Sequence, residues 1–87
     1  MGITDDLAND LARDTIAAME TLQNERLYIE VAKVLGETST TLQESFLTAI
    51  RVRLAERRGR QFLDATVKAA ETGTAAPKAP RESSSGH

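Results

Sequence analysis

The sequence contains no cysteine and no tryptophan, and its aromatic residues are limited to two phenylalanines and one tyrosine. Without cysteine, neither a disulfide nor a thiolate metal site can stabilise the fold. The one histidine, His87, is the last residue of the chain, where chains are commonly unstructured. We therefore expect no metal site, no cofactor and no histidine-based acid–base catalysis.

Long apolar runs are also missing from the sequence. No stretch reaches the roughly 18 apolar residues that a membrane-spanning helix needs. The first residues, Met1 to Asp6, are acidic, whereas a secretory signal begins with positive charge. We therefore expect a cytoplasmic protein that makes no contact with a membrane.

Groups that could perform catalysis are scarce. Asp10 stands four residues from both Asp6 and Asp14, so these carboxylates share one face of a helix. Such a ladder could hold a divalent cation, but exposed acidic side chains near a helix start are far more common. The glycines are too scattered for a phosphate-binding loop. The sequence therefore predicts a protein that is not an enzyme.

Apolar residues recur at helical spacing over residues 3–35, and no proline or glycine interrupts this stretch. Thr4 is suited to cap the start of the helix. The apolar density drops near Asn24, which is itself a good capping residue. The pattern leaves two alternatives open: one long helix that ends at Leu35, or two helices separated by a kink near Asn24.

A short break, Gly36 to Thr40, separates this stretch from a second apolar pattern. Gly36 fits the position after a helix end, where glycine adopts a left-handed backbone without strain. Thr40 and Thr41 each stand three residues before a glutamine or glutamate, which is the spacing of a capping box. The sequence therefore predicts an all-α antiparallel helical hairpin of two long helices, unless the first divides near Asn24.

The second helix carries an apolar stripe from residue 42 to residue 69 in steps of three or four. Five large side chains of this stripe form the predicted interface: Leu42, Phe46, Ile50, Leu54 and Phe62. Two helical arms cover only one side of each stripe, and their apolar burial falls short of the entropy cost of ordering the chain. We therefore expect a homo-oligomer in which the arms form a helical bundle. The alternative is a self-sufficient three-helix bundle.

The composition changes after Thr72. Residues 73–87 contain both prolines and a run of three serines, and they hold no large apolar side chain. Such a composition favours a flexible chain. We therefore expect a helical domain over residues 1–72 and a disordered tail over residues 73–87.

Charge is unevenly distributed along the chain. Residues 1–30 carry seven acids and two bases, whereas residues 31–87 carry nine bases and six acids. The arginine cluster comprises five residues within a stretch of ten: Arg51, Arg53, Arg57, Arg58 and Arg60. Its guanidinium groups could bind the phosphates of nucleic acid or pair with the acids of the first arm. The supply of acidic side chains favours the second interpretation.

Residues 28–42 resemble a DNA-binding helix-turn-helix. Ala32 stands four residues before Gly36, Leu35 stands immediately before it, and Leu42 stands six residues after it. Two steeply crossing helices need a small contact residue, a turn residue and apolar anchors at such positions. The resemblance implies that the residues after the turn would face DNA.

Two features of this segment depart from the helix-turn-helix pattern. Glu37 stands where an apolar residue is usual, and residues 39–45 contain no lysine or arginine. Only Gln43 could read a base edge. We therefore expect a non-catalytic helical interaction or regulatory module that acts through self-association and contacts with an unidentified protein. The alternative is a small DNA-binding regulator that uses residues 28–45 and the arginine cluster.

Overall fold

The computed structural model describes residues 2–80. Three α-helices follow one another along the chain: α1 at Ile3–Leu22, α2 at Leu27–Gly36 and α3 at Thr40–Thr72. No strand occurs within residues 2–80. The prediction of an all-α fold is confirmed. The first arm divides into α1 and α2, so the alternative of two helices separated near Asn24 is confirmed, and residues 2–80 contain three helices instead of two long ones.

The division between α1 and α2 has a local cause. Gln23 adopts a left-handed backbone, with φ 54° and ψ 42°, and a left-handed residue cannot continue a right-handed helix. The amide of Gln23 donates to Glu20 O at 3.3 Å, and the amide of Asn24 donates to Met19 O at 3.0 Å. These two bonds form a Schellman motif, which satisfies the last carbonyl groups of α1.

Asn24 closes the turn that follows. Its side-chain Oδ1 accepts a hydrogen bond from the amide of Arg26 at 3.1 Å, which is the geometry of an Asx turn. α2 then begins at Leu27 without a side-chain cap. The drop in apolar density near Asn24 therefore marks a turn between helices.

The connection between α2 and α3 differs from its prediction at both ends. Gly36 is the last residue of α2, and it is not in the left-handed region, so that prediction is wrong. Ser39 caps α3, because its Oγ accepts a hydrogen bond from the amide of Leu42 at 3.0 Å. The predicted capping threonine Thr40 is instead the first residue of the helix.

Gly36 is needed for close packing. A Cβ atom at this position would lie 2.6 Å from Nε2 of Gln43. That nitrogen donates a hydrogen bond to the carbonyl oxygen of Ala32 at 2.9 Å. Gly36 therefore leaves the space in which the Gln43 amide ties the start of α3 to α2.

The chain divides into an N-terminal unit, Met1–Ala55, and a C-terminal unit, Glu56–His87. The core of the N-terminal unit draws on α1, α2 and the first part of α3. Its buried members are Ala8, Ala12, Ile16, Ala32, Phe46 and Ile50. Phe46 and Ile50 have no exposed area. The three helices of this unit therefore share one apolar core within a single chain.

The C-terminal unit consists of the second part of α3 and the residues that follow it. Gly73 is left-handed, with φ 74°, and the amide of Thr74 donates to Ala69 O at 3.0 Å. This is again a Schellman bond, and it ends α3 at Thr72. Residues 74–80 are non-helical and exposed. The remainder of the predicted tail, residues 81–87, lies outside the described residues.

Replacement of the left-handed glutamine by glycine should stabilise the protein. We expect Gln23→Gly to raise the free energy of unfolding by about 1 kcal/mol, because glycine adopts positive φ without steric cost. Urea unfolding followed by circular dichroism measures the change. Gln23→Ala is the control, because alanine keeps the strain and should change stability by less than about 0.5 kcal/mol. Equal stabilities of the two variants would contradict this prediction.

The packing role of Gly36 predicts coupling to Gln43. We expect the effect of Gly36→Ala on the free energy of unfolding to be about 1 kcal/mol more destabilising in the wild-type chain than in the Gln43→Ala variant. In the wild-type chain the new methyl group displaces a hydrogen-bonded amide. In Gln43→Ala that bond is already lost, and the higher helix propensity of alanine should dominate. A double-mutant cycle of unfolding free energies measures this coupling. Additive effects would show that the two residues act independently.

Candidate interaction surface

The second part of α3 exposes most of its side chains. Between Glu56 and Thr72, only Thr66 and Ala69 are not exposed. Phe62, Leu63 and Val67 are 38%, 51% and 48% exposed, respectively. We call these three residues the apolar face of α3. Burial of such large apolar side chains against a partner lowers the free energy of the system.

The members of the apolar face are neighbours on the helix. Leu63 and Val67 are separated by four residues and so lie on adjacent turns. The side chains of Phe62 and Leu63 point about 100° apart around the helix axis. The position of Gly59, one turn earlier, lies between these two directions. No atom lies within 4 Å of the position that a Cβ of Gly59 would occupy. The two large side chains therefore border a shallow groove at Gly59.

The arginine cluster does not form one continuous cationic surface. Arg60 bonds to Oε2 of Glu56 through Nη2 at 2.9 Å and through Nε at 3.3 Å. Arg53 donates from Nη2 to Oδ1 of Asn9 at 3.3 Å, and so reaches from α3 to α1. Arg51 and Arg58 are exposed, as is Arg57. The arginines of the cluster thus differ in their contacts along the helix.

The predicted interface residues occupy two different environments. Phe46 and Ile50 are in the core, and Leu42 and Leu54 are partly buried against it, whereas Phe62 is exposed. The physical reason is helical geometry: each step of four residues advances by about 40° around the axis. A stripe built from such steps winds around the helix. Among the five predicted residues, Phe62 therefore presents the largest surface to a partner.

The segment that resembles a helix-turn-helix uses its polar groups internally. The Gln43 amide nitrogen is bonded to Ala32 O at 2.9 Å, and Oγ of Ser39 caps the amide of Leu42. Gln43 is the residue that the resemblance assigns to base recognition. Its side-chain donor is thus already used within the protein.

A second exposed surface lies on α1, on a different face from its buried residues. It contains both apolar and acidic side chains. Ile3 and Leu7 are 74% and 51% exposed. Asp10 and Asp14 are exposed one and two turns further on. Nη1 of Arg13 lies 3.5 Å from Oδ1 of Asp10, and Nε of Arg13 lies 3.2 Å from Oδ1 of Asp14. Within residues 2–80, no group of three or more acidic side chains is arranged to hold a metal ion.

An open depression of about 610 Å³ lies at the end of α3, and its lining is mostly methyl groups: Ala65, Lys68, Ala69, Thr72, Thr74, Ala75, Ala76 and Pro77. None of the helices described is both long enough and apolar enough to cross a bilayer. Comparison of the chain with protein-family models, curated proteins and solved structures finds no match. The function must therefore be argued from the surfaces themselves.

The open space around Gly59 predicts that alanine will stabilise this part of the helix. Gly59→Ala should contribute up to about 1 kcal/mol of helix propensity without a steric conflict. We expect hydrogen exchange of the amides in residues 56–72 to slow by about fivefold, because local opening becomes rarer. Exchange in α1 should be unchanged and serves as the internal control. Faster exchange around Gly59 would show that the glycine has a structural role within the chain.

Proposed function

We propose that this protein is a non-catalytic interaction module. The N-terminal unit supplies a folded base with its own core, and the apolar face of α3 binds protein partners, including a further copy of the chain. The observation that carries this proposal is the exposure of Phe62, Leu63 and Val67 on a helical segment that has little core of its own.

The energetics of this segment favour a binding role. Isolated helices of about 15 residues are marginally stable in water, and Gly59 lowers the helix propensity further by about 1 kcal/mol relative to alanine. Residues 56–72 therefore gain stability from any contact that covers the apolar face. Large contiguous apolar surfaces that stay exposed in a folded protein commonly mark sites of interaction.

The size of the apolar face limits how strongly it binds alone. Complete burial of one such side chain contributes about 1.5–3 kcal/mol, and these three are already half-buried. They supply about 3 kcal/mol together, which is less than a micromolar complex requires. Neighbouring charges must therefore add to the affinity, and they also select the partner.

The alternative function is that of a small DNA-binding regulator. It is favoured by the excess of positive charge in residues 51–60, where five arginines accompany one glutamate. A polyanion would interact with such a segment in a strongly salt-dependent way. The internal bond of Gln43 and the exposed Glu44 argue against base recognition by the first turn of α3. Binding of duplex DNA, weakened by rising salt and by Arg57→Glu with Arg58→Glu, would favour the alternative.

The interaction proposal is tested by charge insertion on the apolar face. We expect wild-type protein to self-associate in sedimentation equilibrium, and Val67→Asp to weaken that association by roughly tenfold or more, because a carboxylate resists burial without a partner. Phe62→Asp should have the same effect. Circular dichroism should show retained helical content in both variants.

Val34→Asp is the matched control for this experiment. Val34 is a valine on α2 that is 64% exposed, so the substitution carries the same cost in charge and helix propensity. It should leave self-association unchanged. A wild-type chain that stays monomeric at about 100 μM, or equal effects of Val34→Asp and Val67→Asp, would count against the proposal.

A further inference from the structure

We infer that the side of α3 that carries Arg58 and Phe62 packs against α1 of a second copy of this chain, with Arg58 facing Asp10 and Phe62 facing Leu7 in an antiparallel pair of helices. This inference rests on the proposed function and adds the identity of the partner. It follows from the order and spacing of charged and apolar residues on two exposed surfaces.

The outer face of α1 has apolar residues first and acidic residues afterwards. Ile3, Leu7, Asp10 and Asp14 are separated by four, three and four residues, so they follow one another along a single face. All four are exposed. The core residues Ala8, Ala12, Thr15 and Ile16 lie on a different face of α1.

The C-terminal unit presents the reverse order. Three arginines occur within residues 57–60, and the apolar residues Phe62, Leu63 and Val67 follow them. Arg58 precedes Phe62 by four residues, so their side chains lie on adjacent turns. Positive charge therefore comes first on this helix, and apolar surface comes second.

An antiparallel pairing matches these two surfaces in register. When Arg58 is placed opposite Asp10, Phe62 falls opposite the region of Leu7, and the next turn of α3 meets Ile3. A parallel pairing would place Phe62 beside a carboxylate and Arg58 beside an apolar side chain. The pattern of charge therefore selects one orientation, as complementary charges commonly do in helix pairs.

The acidic side chains of α1 remain accessible to a second copy. Arg13 lies 3.5 Å from Asp10 and 3.2 Å from Asp14. These groups are 59%, 66% and 69% exposed in their side chains, and solvent weakens ion pairs of such exposure. Within residues 3–16 four acids oppose this one arginine. A net negative surface is thus left for Arg58 of the partner.

A second copy fits these surfaces better than a lipid surface or a nucleic acid does. Both of those partners are anionic, and the acidic face of α1 on the same chain would be repelled by them. Each chain carries both complementary surfaces, so two chains that exchange them form the contact twice. The doubling compensates for the small apolar area of a single contact.

Charge reversal on each surface tests the inference. Arg58→Glu and Asp10→Lys should each weaken self-association by roughly tenfold or more, because each places like charges opposite one another. An equimolar mixture of the two variants should associate with an affinity within about threefold of wild type, because the two reversed charges face each other in one contact and the native Arg58 and Asp10 face each other in the other. Sedimentation velocity on the separate and mixed proteins provides the measurement. Wild-type association should also weaken as salt is added.

Two control variants carry the same changes in net charge on α2. Lys33→Glu and Glu30→Lys lie on exposed positions away from both surfaces, so each should associate like wild type. In a mixture of Lys33→Glu with Asp10→Lys, the mixed pair should stay weaker than the pair of Arg58→Glu with Asp10→Lys, because like charges still face each other in one of its two contacts. If Asp10→Lys has reduced helical content, Asp14→Lys takes its place in the same mixture, because it reverses charge on the same face.

The outcomes separate this inference from the proposed function. Loss of association in Phe62→Asp, combined with no recovery in the Arg58→Glu and Asp10→Lys mixture, overturns the inference and leaves the proposed function standing. Association that neither Phe62→Asp nor Val67→Asp changes overturns both. A monomeric wild-type chain that instead binds duplex DNA, or vesicles of phosphatidylserine and phosphatidylcholine, also overturns the inference.

Discussion

The N-terminal unit depends on the burial of two large side chains of α3 against small residues of the other helices. Phe46 and Ile50 have no exposed area, and Ala8, Ala12 and Ala32 are buried in the same core. Small residues let helices approach closely, so that the large side chains fill the space between them. Because this core is complete within one chain, Phe46 and Ile50 are not available to a partner. The second part of α3 exposes further large apolar side chains, Phe62, Leu63 and Val67.

The helical class, the break after Leu35 and the helix end at Thr72 could all be predicted from apolar spacing and from glycine and proline. The division of the first arm near Asn24 was one of two alternatives left open by the drop in apolar density, and the sequence could not decide between them, because the left-handed residue is Gln23 and nothing in the side chain of glutamine indicates positive φ. Gly36 shows the converse problem. Glycine serves either positive φ or close packing, and only the position of Gln43 on the neighbouring helix reveals which one applies.

The candidate surface could be predicted only in part from the sequence. The winding of the stripe from Leu42 to Phe62 follows from its spacing, so the separate position of Phe62 was in principle calculable. The bond between Arg60 and Glu56 likewise follows from a spacing of four residues. The bond between Arg53 and Asn9 does not, because it depends on the register of α3 against α1. Contacts within a helix can thus be read from spacing, whereas contacts between helices require the packed structure.

Three properties of the second part of α3 are consistent with one another. Gly59 lowers helix propensity, the apolar face is too small for a strong contact by itself, and Arg58 lies exposed one turn before Phe62. A segment like this is ordered most firmly when a partner covers it, so binding and ordering are thermodynamically coupled. The apolar area supplies affinity for many partners alike, whereas the order of charges distinguishes among them. Under the proposed function, the order of charges selects the partner, and association should be sensitive to ionic strength because the charges concerned are exposed.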